Sequence, residues 1–253
     1  MRHCFLVGCL MTGLFASAAQ SQTKPAPAPA QGLDIIFIIN GSAAGTSVTE
    51  NLTTVLAKRR LPINTDTIAW CRWGSQVGDH TDYWGQVYSA NCLAAKMADY
   101  HARWPKSKIY LIGHSAGTHI VLLAAGKMPP NTIERVVVLA PSVSTCFDLR
   151  PALRASRNGI DCYYSFDDAL VSVGSERFGT ADGLFVKPAG EIGFTRLSPN
   201  FPDANLYQKV HNIRWEPEMA WSGNQGGHYG PTSEGFLDFY VLPVMLGLGR
   251  IRN

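Results

Sequence analysis

Runs of like charge are missing from this chain of 253 residues: its 22 basic and 19 acidic side chains are scattered and leave a formal net charge of +3. Neither the basic stripe of a nucleic-acid binder nor an acidic tail is present, so no nucleic-acid partner is expected. No two cysteines stand at the close spacing of a zinc pair, and no phosphate-cradling glycine loop or flavin or nicotinamide fingerprint occurs. No metal and no cofactor are implied. No internal repeat is evident, and the one long apolar run at the start, Cys4 to Phe15, is too short to span a bilayer, so no transmembrane segment is expected.

That run follows Met1-Arg2-His3 and leads into Ala16-Ser17-Ala18-Ala19, the layout of a secretory signal peptide over residues 1–19. Export to a periplasm or beyond the cell is the expectation. Leu6-Val7-Gly8-Cys9 also resembles a lipobox, which would lipidate Cys9, but too few apolar residues precede it and the run continues past it. Residues 20–32 carry alternating prolines (Pro25, Pro27, Pro29) that keep a spacer extended, and the folded domain occupies 33–253. Beyond the signal the chain holds Cys71, Cys92, Cys146 and Cys162. An oxidising compartment would pair an even set, and joining neighbours, Cys71 with Cys92 and Cys146 with Cys162, closes short loops; four buried free thiols is the alternative.

Leu33 to Ile39 is a β-branched and aromatic run of the kind buried on both faces of a parallel sheet, and it stops at the turn signal Asn40-Gly41. A helix is predicted over Val48 to Leu61, a strand over Thr67 to Trp70, a polar loop over Arg72 to Asp82, and a long helix over Tyr83 to Trp104, ended by Pro105. Strands at Lys108–Ile112, Ile133–Leu139, Asn158–Phe166 and Val210–Trp215, with helices at Ala116–Gly126 and Gly235–Leu248, complete the alternation. Gly174 to Asn205 has no period and reads as an insertion of irregular loops with a short hairpin. Alternating strands and helices imply a parallel sheet whose ligands bind beyond the carboxyl ends of the strands.

Gly113-His114-Ser115-Ala116-Gly117 fits Gly-x-Ser-x-Gly, with the apolar strand Ile109 to Ile112 directly before it and helix-forming residues from Thr118 directly after it. A sharp strand-to-helix turn of this kind lifts a serine hydroxyl above the sheet edge and needs glycine on either side. Through this motif and the order of strands the chain resembles the α/β-hydrolase superfamily from about Leu33 to Leu248. The resemblance implies an α/β-hydrolase fold, a mostly parallel central sheet with helices on both faces, and a serine, acid, histidine triad in that chain order; it does not imply one substrate.

A serine hydroxyl needs a base, and only His211 and His228 lie downstream. His228, in the glycine-rich loop Gly226 to Gly230, stands where the superfamily keeps its histidine; His211 falls inside a strand. His114 and His119 belong to the elbow and the helix after it. For the acid, Asp167 and Asp168 stand at the carboxyl end of the Asn158–Phe166 strand; Asp168, followed two residues later by Leu170, is preferred, Asp167 would cap the turn, and Asp148 is third. The oxyanion hole is assigned to the backbone N–H groups of Ala116 and Ser42, the latter in Asn40 to Gly45, where many superfamily members carry His-Gly. Trp70, Trp73 and Trp84 would line an apolar groove or pack around a Cys71 disulfide, the second being favoured. Asp79-His80-Thr81-Asp82 reads as an exposed polar loop rather than a metal site. The reaction expected is hydrolysis of a carboxylic ester, small or lipid-like, through an acyl-enzyme; acyl transfer, amide hydrolysis and a non-catalytic binder of the same fold are the rivals.

Overall fold

The computed structural model describes residues 32–248. The predicted signal peptide, Cys4, Cys9 and the spacer as far as residue 31 lie outside the described residues. Six strands, β1 (Asp34–Ile39), β2 (Ile63–Thr67), β3 (Ile109–His114), β4 (Arg135–Leu139), β5 (Ile160–Tyr164) and β6 (Val210–Arg214), form one sheet in the order β2-β1-β3-β4-β5-β6. Every pairing is parallel. With helices on both faces, this is the α/β-hydrolase fold.

The continuous apolar strands are explained by the two cores. Ile35, Phe37, Leu111, Val136 and Val138 face one cluster, where α3 (Tyr83–Arg103), α4 (Gly117–Ala125) and α5 (Arg150–Ala155) pack. Their chain neighbours Ile36, Ile38, Tyr110, Ile112 and Val137 face the other, against α1 (Ser47–Lys58) and the closing helical segment. Each such side chain contributes roughly 1.5–3 kcal/mol when fully buried, so a polar residue in its place would lose that contribution. The closing segment, predicted as one helix, is α8 (Glu234–Phe236), a π turn (Leu237–Val241) and α9 (Leu242–Met245), interrupted just before Pro243, which has no N–H to continue the ladder.

Three expectations need correction. The second strand is Ile63–Thr67 rather than Thr67–Trp70: an edge strand is half exposed and tolerates Asn64, Thr65 and Asp66, while Ile68 and Trp70 reach the core from a loop. The polar stretch Arg72 to Asp82 contains a helix, α2 (Gln76–Thr81), begun by Ser75, whose hydroxyl accepts the Gly78 N–H. The stretch from Gly174 to Asn205, expected to be irregular, holds the second half of α6 (Ala169–Phe178) and all of α7 (Ala189–Ile192), with no hairpin among the described residues. Two valines, two serines and a glycine give α6 little intrinsic helix preference, so packing rather than composition makes it helical.

The disulfides are also corrected: all four described cysteines are free. Cys162 is buried in β5 with its thiol toward the Ala189 carbonyl, while Cys146 is exposed in the loop after β4. The Cys71 thiol points to the Gly41 carbonyl, 3.6 Å away, and burial pushes it up to about 11. Among the described residues no helix is long and apolar enough to cross a membrane.

Candidate active site

Strand order reverses between β1 and β3, because β1 is followed by β2 on one side and β3 on the other. Their carboxyl ends therefore open a crevice that no crossover covers. Register places Ile39 beside Gly113, so the loop from Asn40 and the turn at Ser115 leave the sheet together. The approach is close. A β-carbon at Gly117 would stand 2.4 Å from the Asn40 carbonyl oxygen, and one at Gly113 would meet the Thr118 backbone at 3.0 Å. Glycine is required at both places because helix α4 departs across the end of β1.

Ser115 itself has φ 54°, a left-handed conformation that a non-glycine residue adopts at a cost of about 1–3 kcal/mol. Surrounding hydrogen bonds hold it there. Its N–H donates to the Leu139 carbonyl at 3.0 Å, and its own carbonyl accepts from the Thr118 hydroxyl at 2.6 Å and the Thr118 N–H at 3.1 Å. The turn points Oγ into a cavity and away from the backbone it would otherwise bond.

There the hydroxyl lies 2.8 Å from His228 Nε2, and His228 Nδ1 lies 2.8 Å from Asp168 Oδ2. An ionised carboxylate can only accept, so Nδ1 carries the proton and Nε2 is left to accept from Ser115. All three groups are buried. Asp168 is also the N-cap of α6, its Oδ1 accepting the Val171 N–H at 3.0 Å. The capping role assigned to Asp167 thus belongs to Asp168. Asp167 is exposed, and its N–H donates to the Ser165 hydroxyl oxygen at 3.1 Å.

The other candidates stand apart. His211 donates from Nδ1 to Asp161 at 2.9 Å near the start of β5, where Asp161 also holds Arg135, so it is a strand-surface histidine at the far end of the sheet. Asp148 caps the turn before α5 and pairs with Arg150. Of the tryptophans, Trp70 is buried and donates to the Asn40 carbonyl at 2.9 Å, Trp73 and Trp84 are exposed, and none lines the cavity.

The first loop is held from three sides. The Asn40 carboxamide caps α1, accepting the Val48 and Thr49 N–H groups; Trp70 holds the Asn40 carbonyl; and Asp79 Oδ2 accepts the Ala43 N–H at 3.0 Å. Ala43 and Ala44 both adopt positive φ, which bends the loop over the cavity. Among the described residues neither the Ser42 nor the Ala116 N–H donates to a protein acceptor. Helix α4 adds the positive end of its dipole directly below Ser115.

Four residues with a part in this arrangement escaped the sequence reading. Asp79, expected on an exposed loop, is buried and also accepts the Trp73 N–H at 2.8 Å, tying α2 to the Asn40 loop. His80, half-buried, lines the cavity and donates from Nε2 to the Gly179 carbonyl at 2.8 Å, clasping α2 to the end of α6; partial burial lowers its pKa. Ser142, after β4, has its hydroxyl 3.2 Å from Ser115 Oγ. Its place at the carboxyl end of a central strand was the available signal. His114 donates from Nε2 to the His228 carbonyl at 3.0 Å, fixing the histidine loop. Burial, and the neighbouring His228, push His114 down to about 3, so it stays neutral.

The cavity above Ser115 has a volume of about 300 Å³, the lower end of the range for small-molecule sites. Its base is polar, with Ser115, Ser142 and His228; Val77, Leu170, Val171 and Phe178 give its walls apolar surface, beside which stand the polar groups of His80 and Ser175 and, at the rim, Gln76, whose carboxamide donates to the Tyr229 hydroxyl at 3.0 Å.

No family model matches this chain, and no curated protein matches it. Among solved structures it is similar to a predicted CIB-like hydrolase from Thermoplasma acidophilum, at 12% identity over 85% of this chain and 86% of that one, with a TM-score of 0.47. Lipase B from Aspergillus fumigatus shares 13% identity over 85% of this chain and 53% of that one, with a TM-score of 0.46. The catalytic core domain of acetyl xylan esterase from Trichoderma reesei shares 12% over 81% and 97%, with a TM-score of 0.40. At such values the likenesses decide nothing about chemistry, which rests on this chain's own residues.

Proposed function

We propose that this protein is a serine hydrolase that cleaves carboxylic esters, with Ser115 as nucleophile, His228 as general base and acid, and Asp168 as the carboxylate that orients it. The observation that carries the reading is the unbroken relay of two 2.8 Å hydrogen bonds, from Asp168 to His228 to Ser115, at the base of an open cavity. As Ser115 Oγ bonds to the ester carbonyl carbon, its proton moves to His228 Nε2, and Asp168 stabilises the imidazolium. The carbonyl oxygen gains the charge and is met by the Ser42 and Ala116 N–H groups, with the dipole of α4 behind them. His228 then gives the proton to the departing alkoxide, leaving an acyl-enzyme. A water activated by the same imidazole releases the acid and restores Ser115. The apolar walls favour an uncharged substrate with hydrophobic substituents.

A fluorophosphonate probe and a chromogenic ester together test this. Covalent labelling at Ser115 with turnover of the ester is the expected result. A folded protein that shows neither would be a binding protein of this fold.

A further inference from the structure

Helix α6 presents one face to the cavity, carrying Leu170, Val171, Gly174, Ser175 and Phe178. At 100° per residue these positions span a single arc, and Gly174 falls inside it, between Leu170 and Val171. Every other member brings a side chain; Gly174 brings none. Glycine inside a helix is poorer than any residue but proline, so its presence there calls for a local reason. Backbone conformation is not that reason, since Gly174 has no positive φ. Crowding is not either, because a β-carbon at Gly174 would meet nothing within 4 Å, unlike those at Gly113, Gly117 or Gly190. What remains is the space itself, which opens into the cavity.

We infer that Gly174 is a specificity-determining residue, and that the space it leaves accepts the apolar chain of an extended ester; this rests on the ester-hydrolysing reading above. From Leu170 to Phe178 the wall runs for roughly 12 Å along the helix axis. Exposed apolar side chains, Leu170 and Phe178 on α6, Val77 on α2 and Tyr229 opposite, continue it to the rim. No charged side chain lines this cavity. An extended hydrocarbon fits such a wall, and a side chain at position 174 would interrupt it midway.

The test compares Gly174→Leu and Gly174→Ala with the parent on two ester series, p-nitrophenyl alkanoates from acetate to decanoate and alkyl acetates from methyl to octyl. The first series varies the acyl side and the second the alcohol side. Gly174→Leu should keep acetate kcat/KM within about threefold of the parent while losing about thirtyfold or more on the long members of one series, with Gly174→Ala between them. Val173→Leu, an enlargement at an exposed position on the same helix that does not line the cavity, should leave the profile unchanged. Equal losses on short and long esters in a folded Gly174→Leu, or a parallel change in Val173→Leu, would overturn the role of Gly174 while the ester reading stands. Should Gly174→Leu fail to fold, an unaltered profile in Gly174→Ala overturns it as well. A parent that hydrolyses no ester of either series removes the reading and the inference together.

Discussion

Gly117 and Gly174 both sit in helices that border the same site, and their surroundings are opposite. A β-carbon at Gly117 would collide with the Asn40 and Ile39 carbonyl oxygens at 2.4 and 2.8 Å; one at Gly174 would touch nothing. The first glycine belongs to the floor of the site, where β1, β3 and α4 meet. The second belongs to a wall made by α2 and α6. The floor is over-determined: buried strands on both sides, a left-handed Ser115 held through both its backbone groups, and a relay with no alternative partners for its atoms except Ser142. The walls are short helices with exposed apolar side chains, joined by His80 to Gly179. Chemistry that demands sub-ångström placement is built where geometry cannot relax, and substrate choice where it can.

The sharpest break between floor and wall is removal of the proposed nucleophile and base. Ser115→Ala and His228→Ala should each reduce ester kcat by about a millionfold with the fold intact by circular dichroism, since members of a triad act as a unit. His211→Ala, at the far end of the sheet, should leave turnover near that of the parent. A His228→Ala variant with substantial activity would transfer the base elsewhere.

One step down is the carboxylate. Asp168→Asn should cut kcat by roughly 10⁴, because the amide no longer enforces the Nδ1–H tautomer of His228. Asp167→Asn, one residue away and exposed, should be nearly silent. Stopped-flow or steady-state kinetics on the two variants decides between them, and an inactive Asp167→Asn would move the acid by one position.

Asp79 links floor to wall, so its loss should be intermediate. Asp79→Asn places an N–H₂ against either the Ala43 or the Trp73 N–H, displacing the Asn40–Gly45 loop, and a shift near 1 Å is worth about 10² in kcat. Unchanged kcat would show that the Ser42 N–H is positioned without it.

The same-chemistry pair of glycine variants measures the contrast in stability. Gly117→Ala should be destabilised by about 1–3 kcal/mol or more through overpacking, whereas Gly174→Ala should gain roughly 0.5–1 kcal/mol from helix propensity. Thermal denaturation of both is the measurement, and equal shifts would erase the distinction.

The effect furthest from turnover is in acid. His114 is pushed down to about 3 and His119 to about 4, both by burial first, so below the ordinary histidine range the unfolded chain binds protons that the native one refuses. Stability attributable to their neutrality is complete above about pH 6.5 and declines as pH falls towards those values, by at most about 1.4 kcal/mol per pH unit for each. Denaturant midpoints between pH 7 and 4.5 should show a shallower decline in His119→Gln than in the parent.

The sequence by itself marked the strands buried on both faces, the elbow and the candidate histidine loop, because each leaves a local sign: a β-branched run, glycines two residues either side of Ser115, a glycine-rich loop around His228; the order of serine, acid and histidine was implied by the superfamily resemblance. The edge strand Ile63–Thr67 left none, since half its surface meets water and polar residues suit it. The disulfide expectation failed for a related reason, as cysteine spacing says nothing about which way Cys146 and Cys162 face. Helices α2 and α6 were hidden because weak helix formers become helical only against a neighbour. The burial of Asp79, the half-burial of His80 and the open space beside Gly174 were decided by tertiary structure alone, through groups dozens of residues apart whose distances no local pattern encodes, whereas the preference for Asp168 over Asp167 already had a local mark in Leu170.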